Sequence, residues 1–195
     1  MTSASPPAVD TRSRILDAAL DVFSEHGFEG STLQQVADLL GVTKAALYYH
    51  FRSKDDILVA LVTPAMADLD ALVDSHAGTR DTPARRRQFL AGYIDYLLRQ
   101  RRLIAYISRD LATLAHPAIT AGSRERRARM EAMLAGDGLD FADQVRVAMA
   151  FGGIQSAIAQ NPDAETAELR EALLAATATL LRPRRPAPSP PPASS

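Results

Sequence analysis

The sequence predicts an all-α protein with about nine helices, because apolar residues recur at helical spacing along most of the chain. Polar residues followed directly by proline mark several helix starts. No segment combines the alternation of a β-strand with flanking turn residues. The 195 residues are 47% hydrophobic and 23% charged, which is typical of a globular protein and not of a disordered one.

Three helices are predicted before residue 52. The first ends at Gly27, and its apolar stripe is Ile15, Ala19, Val22 and Phe23. The second begins with a capping box of Ser31 and Gln34 and ends at Gly41; its apolar positions are Leu33, Val36, Ala37 and Leu40. A short third helix runs from Lys44 to about Phe51.

A longer fourth helix begins at Ser53, with Asp55 and Asp56 in its first turn, where the helix dipole favours anions. Its apolar positions are Leu58, Leu61, Val62, Ala65, Leu69 and Leu72. Pro64 removes the N–H that would bond the carbonyl of Ala60, so the helix is expected to bend there. The bend is either a hinge or a fixed curvature around the core.

Three further helix starts are predicted where a polar residue precedes a proline, at Thr82-Pro83, His116-Pro117 and Asn161-Pro162. Additional apolar stripes complete the helical pattern. They comprise Phe89, Tyr93 and Leu97; Leu103, Ile107, Leu111 and Leu114; and Met130, Met133 and Leu134.

Residues 148–159 contain only two polar side chains, Gln155 and Ser156, and a helix so apolar must bury every face. Gly152 and Gly153 would let another helix approach closely. The two last helices form either a core within one subunit or, as we favour, a bundle shared with a second copy. The predicted dimer interface consists of Phe151, Gly152, Gly153, Gln155, Leu169, Leu173, Ala176 and Leu180.

Composition excludes several classes of protein. With no cysteine, the chain has no disulfide, thiol nucleophile or iron–sulfur cluster. No apolar run reaches the roughly 18 residues of a membrane span, and the first ten residues lack a secretory apolar core. Residues 1–8 and 182–195 are expected to be disordered tails, since 183–195 hold six prolines. The net charge of −1 gives no hint of nucleic acid.

An enzyme is the less favoured class. The four histidines, His26, His50, His76 and His116, are too widely separated for a metal motif, and no metal or cofactor is predicted. The chain lacks a phosphate-binding P-loop, a dinucleotide fingerprint after a strand and a nucleophile elbow.

The segment from Ser31 to Leu58 predicts DNA binding. Two helices joined by the short turn Gly41-Val42-Thr43 form a helix-turn-helix. Val42, Leu47 and Phe51 hold the second helix against Val36 and Leu40, which leaves Lys44, Ala45, Tyr48 and Tyr49 facing solvent. The only two lysines of the chain, Lys44 and Lys54, lie here, and residues 43–54 contain no acid. A surface helix with incidental basic residues is the alternative.

This segment resembles the TetR family of transcriptional regulators. The resemblance rests on Thr32, Val36-Ala37, Gly41-Val42-Thr43, Leu47-Tyr48-Tyr49-His50-Phe51, Ser53-Lys54 and Ile57-Leu58. It implies a DNA-binding domain at residues 9–69, with its motif at 32–51, and a ligand-binding and dimerisation domain at 70–181. It also implies a homodimeric bacterial repressor in the cytoplasm, released from a palindromic operator by a small ligand. A constitutive DNA-binding protein without an inducer is the alternative.

The resemblance implies roles for individual residues. Lys44, Ala45, Ala46, Tyr48 and, from the preceding helix, Gln34 would face base edges. The expected contacts to the DNA backbone are Thr32, Thr43, Tyr49, His50 and Lys54. His50 is alternatively packed against the next helix, and Ala46 has no hydroxyl with which to reproduce a hydrogen bond that relatives make there.

Candidates for the ligand pocket are chosen because aromatic, methionine and isolated charged side chains commonly line such pockets. They are Met66, Phe89, Tyr93, Tyr96, Tyr106, Arg109, Met130 and Met133. For each of them, ordinary core packing is the alternative. The arginine clusters at 85–87 and 124–129 are interpreted as solvated faces of mixed charge.

Overall fold

A computed structural model describes residues 11–78, 82–135 and 140–181, and all regular structure in these ranges is helical. The helices are α1 (Thr11–Gly30), α2 (Leu33–Leu40), α3 (Lys44–His50), α4 (Lys54–His76), α5 (Pro83–Arg99), α6 (Arg101–Ile107), α7 (Leu111–Leu114), α8 (Pro117–Thr120), α9 (Ser123–Ala135), α10 (Phe141–Gln160) and α11 (Thr166–Leu180). The all-α prediction is confirmed. Helices α7 and α8 have only four residues each. The other helices in the described ranges number nine, as predicted. The predicted tails at 1–8 and 182–195 lie outside the described residues.

Two of the three predicted polar–proline starts are confirmed. Thr82 caps α5 and His116 caps α8, each directly before its proline. The start at Asn161-Pro162 is wrong, because Asn161 ends α10 and its side-chain amide donates to the carbonyl of Ala157 at 2.7 Å. Helix α11 begins only after Glu165, whose carboxylate accepts the N–H of Glu168.

The core is divided into two clusters of buried side chains. The first joins α1, α2, α3 and the beginning of α4 with Leu103, Tyr106 and Ile107 of α6. The second joins the end of α4 with α5, α9, α10 and α11. Helix α4 passes from one cluster to the other between Ala65 and Leu69. Helix α4 continues through Pro64 as a single helix. That Pro64 acts as a hinge stays one of the two predicted alternatives.

Helix α10 does not bury every face within one chain, as the alternative of a core within one subunit would require. Phe151, Ile154 and Ile158 are buried, whereas Phe141, Met149, Gly152 and Gly153 are exposed. Because its apolar residues continue around the helix, one side packs on α5, α6, α9 and α11 and the other remains uncovered.

Across the described residues, no helix has the length and apolar character needed to cross a membrane.

Candidate nucleic-acid interface

Helix α2 is stabilised at both ends. The capping box of α2 lies one residue later than predicted: the N–H of Gln35 donates to Thr32 Oγ1 at 3.3 Å, and Gln35 Oε1 accepts the N–H of Thr32 at 2.8 Å. Ser31 is instead buried, with its hydroxyl donating to the carbonyls of Val22 and Gly27. At the other end, Gly41 has a φ of +66°, a left-handed conformation that favours glycine.

The predicted division of α3 into a packed and a solvent-facing side is confirmed. Leu47 and the following Phe51 are buried in the first cluster. Thr43 begins the helix by accepting the N–H of Ala46 at 3.2 Å, which orients its first turn. The opposite side exposes Lys44, Ala45 and Ala46, together with 43% of Tyr48 and 87% of Tyr49.

The outer side of α3 combines a cation with aromatic hydroxyls. The Lys44 ammonium lies 5.6 Å from the centre of the Tyr48 ring. Tyr49 meets the half-buried His50 edge to face, with ring centres 5.3 Å apart. Lysine and tyrosine side chains donate to phosphate oxygens, and small alanines allow a helix to approach base edges. The surface formed by Lys44, Tyr48 and Tyr49 is called the α3 face below.

Besides Thr32 and Thr43, two further predicted DNA contacts form hydrogen bonds within the chain. Gln34 Nε2 donates to Asp38 Oδ1 at 2.7 Å. The Lys54 ammonium donates to the carbonyls of Phe28 at 2.7 Å and Glu29 at 3.2 Å, and its side chain is only 27% exposed. Lys54 therefore ties the start of α4 to the end of α1, a structural role that its charge alone did not reveal.

A second contact to the end of α1 comes from a distant part of the chain. The carboxylate of Asp110 accepts the backbone N–H of Phe28 at 2.8 Å and that of Thr113 at 2.7 Å. Burial raises the pKa of Asp110, but these backbone hydrogen bonds outweigh it and hold the pKa below the usual value of 3.8. Sequence reasoning missed this contact, because 82 residues separate its partners and no local pattern marks it.

The ligand-pocket candidates do not form one group. Phe89, Tyr93, Tyr96 and Met130 lie in the second cluster with Met133 packed against it, whereas Met66 and Tyr106 belong to the first. Arg109 lies apart and donates to the carbonyl of Ala159 at 3.1 Å. The eight candidates therefore do not line one site: five lie beside the second cluster, whereas Met66, Tyr106 and Arg109 are separated from them.

The aromatic side chains of α5 form a continuous row. Phe89 and Tyr93 are stacked with ring centres 6.5 Å apart, and Tyr93 and Tyr96 with ring centres 6.4 Å apart. The Tyr93 hydroxyl accepts from Gln155 Nε2 at 2.9 Å, whereas the buried Tyr96 hydroxyl has no hydrogen-bond partner among the described residues. Burial raises the pKa of both tyrosines to about 12, so they stay neutral donors at physiological pH.

The residues predicted to form the dimer interface fall into a buried group and an exposed group. Phe151 and Leu173 are buried in the core of their own chain, and Leu169 packs on that core. Gly152, Gly153, Gln155 and Ala176 are exposed, and Leu180 is half-buried. A Cβ built on either glycine would have no atom within 4 Å, so the surface around them is open.

The arginine cluster of α9 is paired with acids. Arg126 forms a two-pronged ion pair with Asp70, at 2.6 and 3.1 Å, and Arg129 lies 2.5 Å from Asp74. Arg127 pairs with Glu131. The hydrogen bond from Arg126 holds the pKa of Asp70 below its usual value. The mixed-charge interpretation thus fits this cluster, except that Arg126 is largely buried between α9 and α4.

Residues 15–61 match the model of the tetR family of bacterial regulatory proteins. Over 63 residues the chain is 43% identical to the HTH-type transcriptional regulator SrpR of Pseudomonas putida, an alignment that covers 32% of this chain and 30% of SrpR. The fold is similar to that of AmtR from Mycobacterium smegmatis, with a TM-score of 0.65, 26% identity and coverage of 92% and 99%. FadR from Bacillus subtilis, solved in complex with stearoyl-CoA, gives a TM-score of 0.52 at 19% identity, with coverage of 84% and 96%.

An exposed recognition helix in a helix-turn-helix, within an all-helical chain, defines a DNA-binding transcriptional regulator. Residues 15–61 are a DNA-binding segment of the TetR family. The alignment spans only 30% of SrpR, so the likeness to that curated relative concerns the DNA-binding part. The matching family model describes bacterial regulatory proteins and SrpR is named a transcriptional regulator, which agrees with the prediction that the chain is not an enzyme.

Proposed function

We propose that the protein is a ligand-responsive repressor that binds a palindromic operator as a homodimer in the bacterial cytoplasm. The observation that carries this proposal is the α3 face: Lys44, Tyr48 and Tyr49 project from a helix whose other side is held by the buried Leu47 and Phe51. A rigid helix with such side chains fits the major groove.

In this proposal, Lys44, Ala45, Ala46 and Tyr48 face base edges, while Thr43 and Tyr49 contact phosphates. Tyr49 supports the second role, because it is the more exposed of the two tyrosines on α3. Gln34, Thr32, His50 and Lys54 complete the proposed interface. For Gln34 and Lys54, binding DNA requires exchange of the hydrogen bonds that they form within the chain.

The net charge of −1 is compatible with DNA binding, because affinity follows local cationic contacts with phosphate and not the charge of the whole chain. Residues 43–54 contain three cationic side chains, Lys44, Arg52 and Lys54, and no acid. A dimer doubles this surface, while the rest of the protein stays slightly acidic and disfavours indiscriminate binding.

The second copy in this proposal covers α10. Its exposed residues Phe141, Val145, Met149 and Gly152 follow one another at intervals of four, four and three, so they lie on one face. The open glycines admit a helix at short distance. Exposed residues of α11, including Ala176, extend the same surface. Two copies related by a twofold axis present two α3 helices, which is why the proposed operator is palindromic.

The ligand response is proposed for residues 70–181, while residues 9–69 form the DNA-binding domain. The unpartnered Tyr96 hydroxyl supports this assignment, because a buried donor without an acceptor is costly and a polar ligand would satisfy it. The complex of FadR with stearoyl-CoA shows that a protein of this fold binds a small molecule.

The experiment is selection of duplexes from a random-sequence library by the full-length protein, followed by footprinting on the selected duplex. The proposal predicts protection of a palindrome, at least about a thousandfold tighter binding than to random DNA, and loss of protection with one compound from a metabolite library. A Tyr48→Ala variant should lose the preference for the selected sequence. Selection of no common sequence would favour an architectural DNA binder, and protection that no compound removes would favour a constitutive regulator.

A further inference from the structure

A cavity of about 300 Å³ opens where the C-terminal end of α4, the beginning of α5 and α9 meet. Its principal lining residues are His76, Arg85, Phe89, Arg129, Ala132 and Met133. This volume lies at the lower end of the range of small-molecule sites. The cavity lies beside the second cluster, whereas α3 packs on the first.

Among the described residues that line the cavity, two are arginines and none is an acid. Arg129 is neutralised by Asp74, which does not line the cavity. Arg85 forms no ion pair with any residue that the structure describes, and its guanidinium makes one long hydrogen bond, 3.4 Å to the carbonyl of Ser75. Of the two arginines, Arg85 is therefore the one with donors to spare, and a guanidinium prefers a carboxylate partner that accepts two parallel hydrogen bonds.

The remaining lining is apolar and adjoins Arg85. Phe89 follows Arg85 by four residues on α5, so both side chains lie on the same face of the helix. Met133 and Ala132 of α9 also contribute to the lining. The His76 ring meets Phe89 edge to face, with centres 5.3 Å apart, and fixes the orientation of the phenyl ring. A bound molecule would thus contact the Arg85 guanidinium at one end and the side chains of Phe89 and Met133 at the other.

We propose that this cavity binds a small organic carboxylate, with its acid group on Arg85 and a compact apolar body against Phe89 and Met133. The inference rests on the proposed function, because it names the chemical class of the ligand to which the regulator responds. Inorganic phosphate would leave the apolar wall unused, and a neutral molecule would leave the Arg85 guanidinium unpaired. Phe89 begins the row of stacked rings that leads to Tyr93 and Tyr96, so the ligand would contact the buried part of α5 directly.

The test is calorimetric titration of the full-length protein, without DNA, with benzoate, 1-naphthoate and decanoate, each compared with its amide, and with inorganic phosphate. At least one acid should bind, and its amide should bind at least about tenfold more weakly, because a charge-assisted pair is lost. Arg85→Gln should weaken binding of the acid by a similar factor. Arg87→Gln is the matched control, since Arg87 is exposed on the same helix and does not line the cavity; it should change binding by less than about twofold.

A further variant, Ala132→Phe, should abolish binding by filling the cavity while circular dichroism stays unchanged. The proposal is overturned if none of the three acids binds, if acid and amide bind equally, if phosphate binds as tightly as the acids, or if Arg85→Gln and Arg87→Gln have the same effect. Failure of the proposed function is a separate result. If the protein binds the acid but still protects its operator in the presence of that acid, the carboxylate site exists and ligand-responsive release does not.

Discussion

Asp110, at the start of α7, accepts the backbone N–H of Phe28, at the end of α1, over 2.8 Å. The Lys54 ammonium binds the carbonyl of the same residue and lies 4.6 Å from the centre of its ring. The ring of His116 also meets the Phe28 ring edge to face. Phe28 is thus held by the beginning of α4 and by two segments from the later part of the chain, so it joins these three segments to the end of α1.

Removal of the Asp110 carboxylate should destabilise the protein. Asp110→Ala deletes both the cap of α7 and the acceptor for Phe28, so we expect the free energy of unfolding to fall by about 2 kcal/mol. Urea denaturation measures the change, and hydrogen exchange at the Phe28 amide should accelerate. Asp163→Ala, an exposed carboxylate in the turn after α10, is the control and should have little effect. Equal stability of the two variants would show that the Asp110 contact contributes nothing.

The Asp110 contribution should depend on pH in a defined direction. Because the hydrogen-bonded carboxylate has a lowered pKa, its stabilising effect is complete above the unfolded-state pKa of about 4 and is lost as the pH falls through the lower native value. The difference in unfolding free energy between wild type and Asp110→Asn should therefore be constant from pH 7 to 5 and shrink below pH 4. Urea titrations at pH 7, 5 and 3 test this. A difference in unfolding free energy that grows as the pH falls would contradict a lowered pKa for Asp110.

Lys44 and Lys54 should behave differently when each is replaced by alanine. Lys44 is exposed and is proposed to face base edges, so Lys44→Ala should reduce the preference for the selected sequence over random DNA and leave thermal stability unchanged. Lys54→Ala should weaken binding to all sequences and flatten the salt dependence, and it should also lower the melting temperature, since the Phe28 and Glu29 carbonyls lose their donor. A lower melting temperature with an unchanged salt slope would mean that Lys54 acts only by positioning α4.

A charge on the exposed face of α10 should separate the proposed dimer. Met149→Asp places a carboxylate in an apolar surface, and we expect sedimentation analysis to show a monomer at concentrations where the wild type is a dimer. Leu39→Asp is a control matched in exposure, because both side chains are 58% exposed and Leu39 lies on α2. If both variants sediment as the wild type does, α10 is not the dimer interface.

Local features of this protein were predictable because neighbouring residues decide them. The apolar spacing of Val36, Leu47 and Phe51 identified the packed side of the motif, and Thr43 and Gly41 marked its turn. The capping box was misplaced by one residue because Ser31 and Thr32 are both good caps, and only the burial of Ser31 under α1 decides between them. The start at Asn161-Pro162 failed for a similar reason, since Asn161 caps the preceding helix instead.

The sequence by itself determined the all-helical class, the position of the helix-turn-helix and the outward side of α3, because helical periodicity and caps act over a few residues. Only the tertiary structure decided which aromatic residues share a cluster, that Lys54 is bound to two carbonyls of α1, and that Arg85 lines a cavity without an acidic partner among the described residues. These features join elements that are far apart in the chain, as Asp110 and Phe28 are, and such pairings depend on how the helices pack and not on any local pattern.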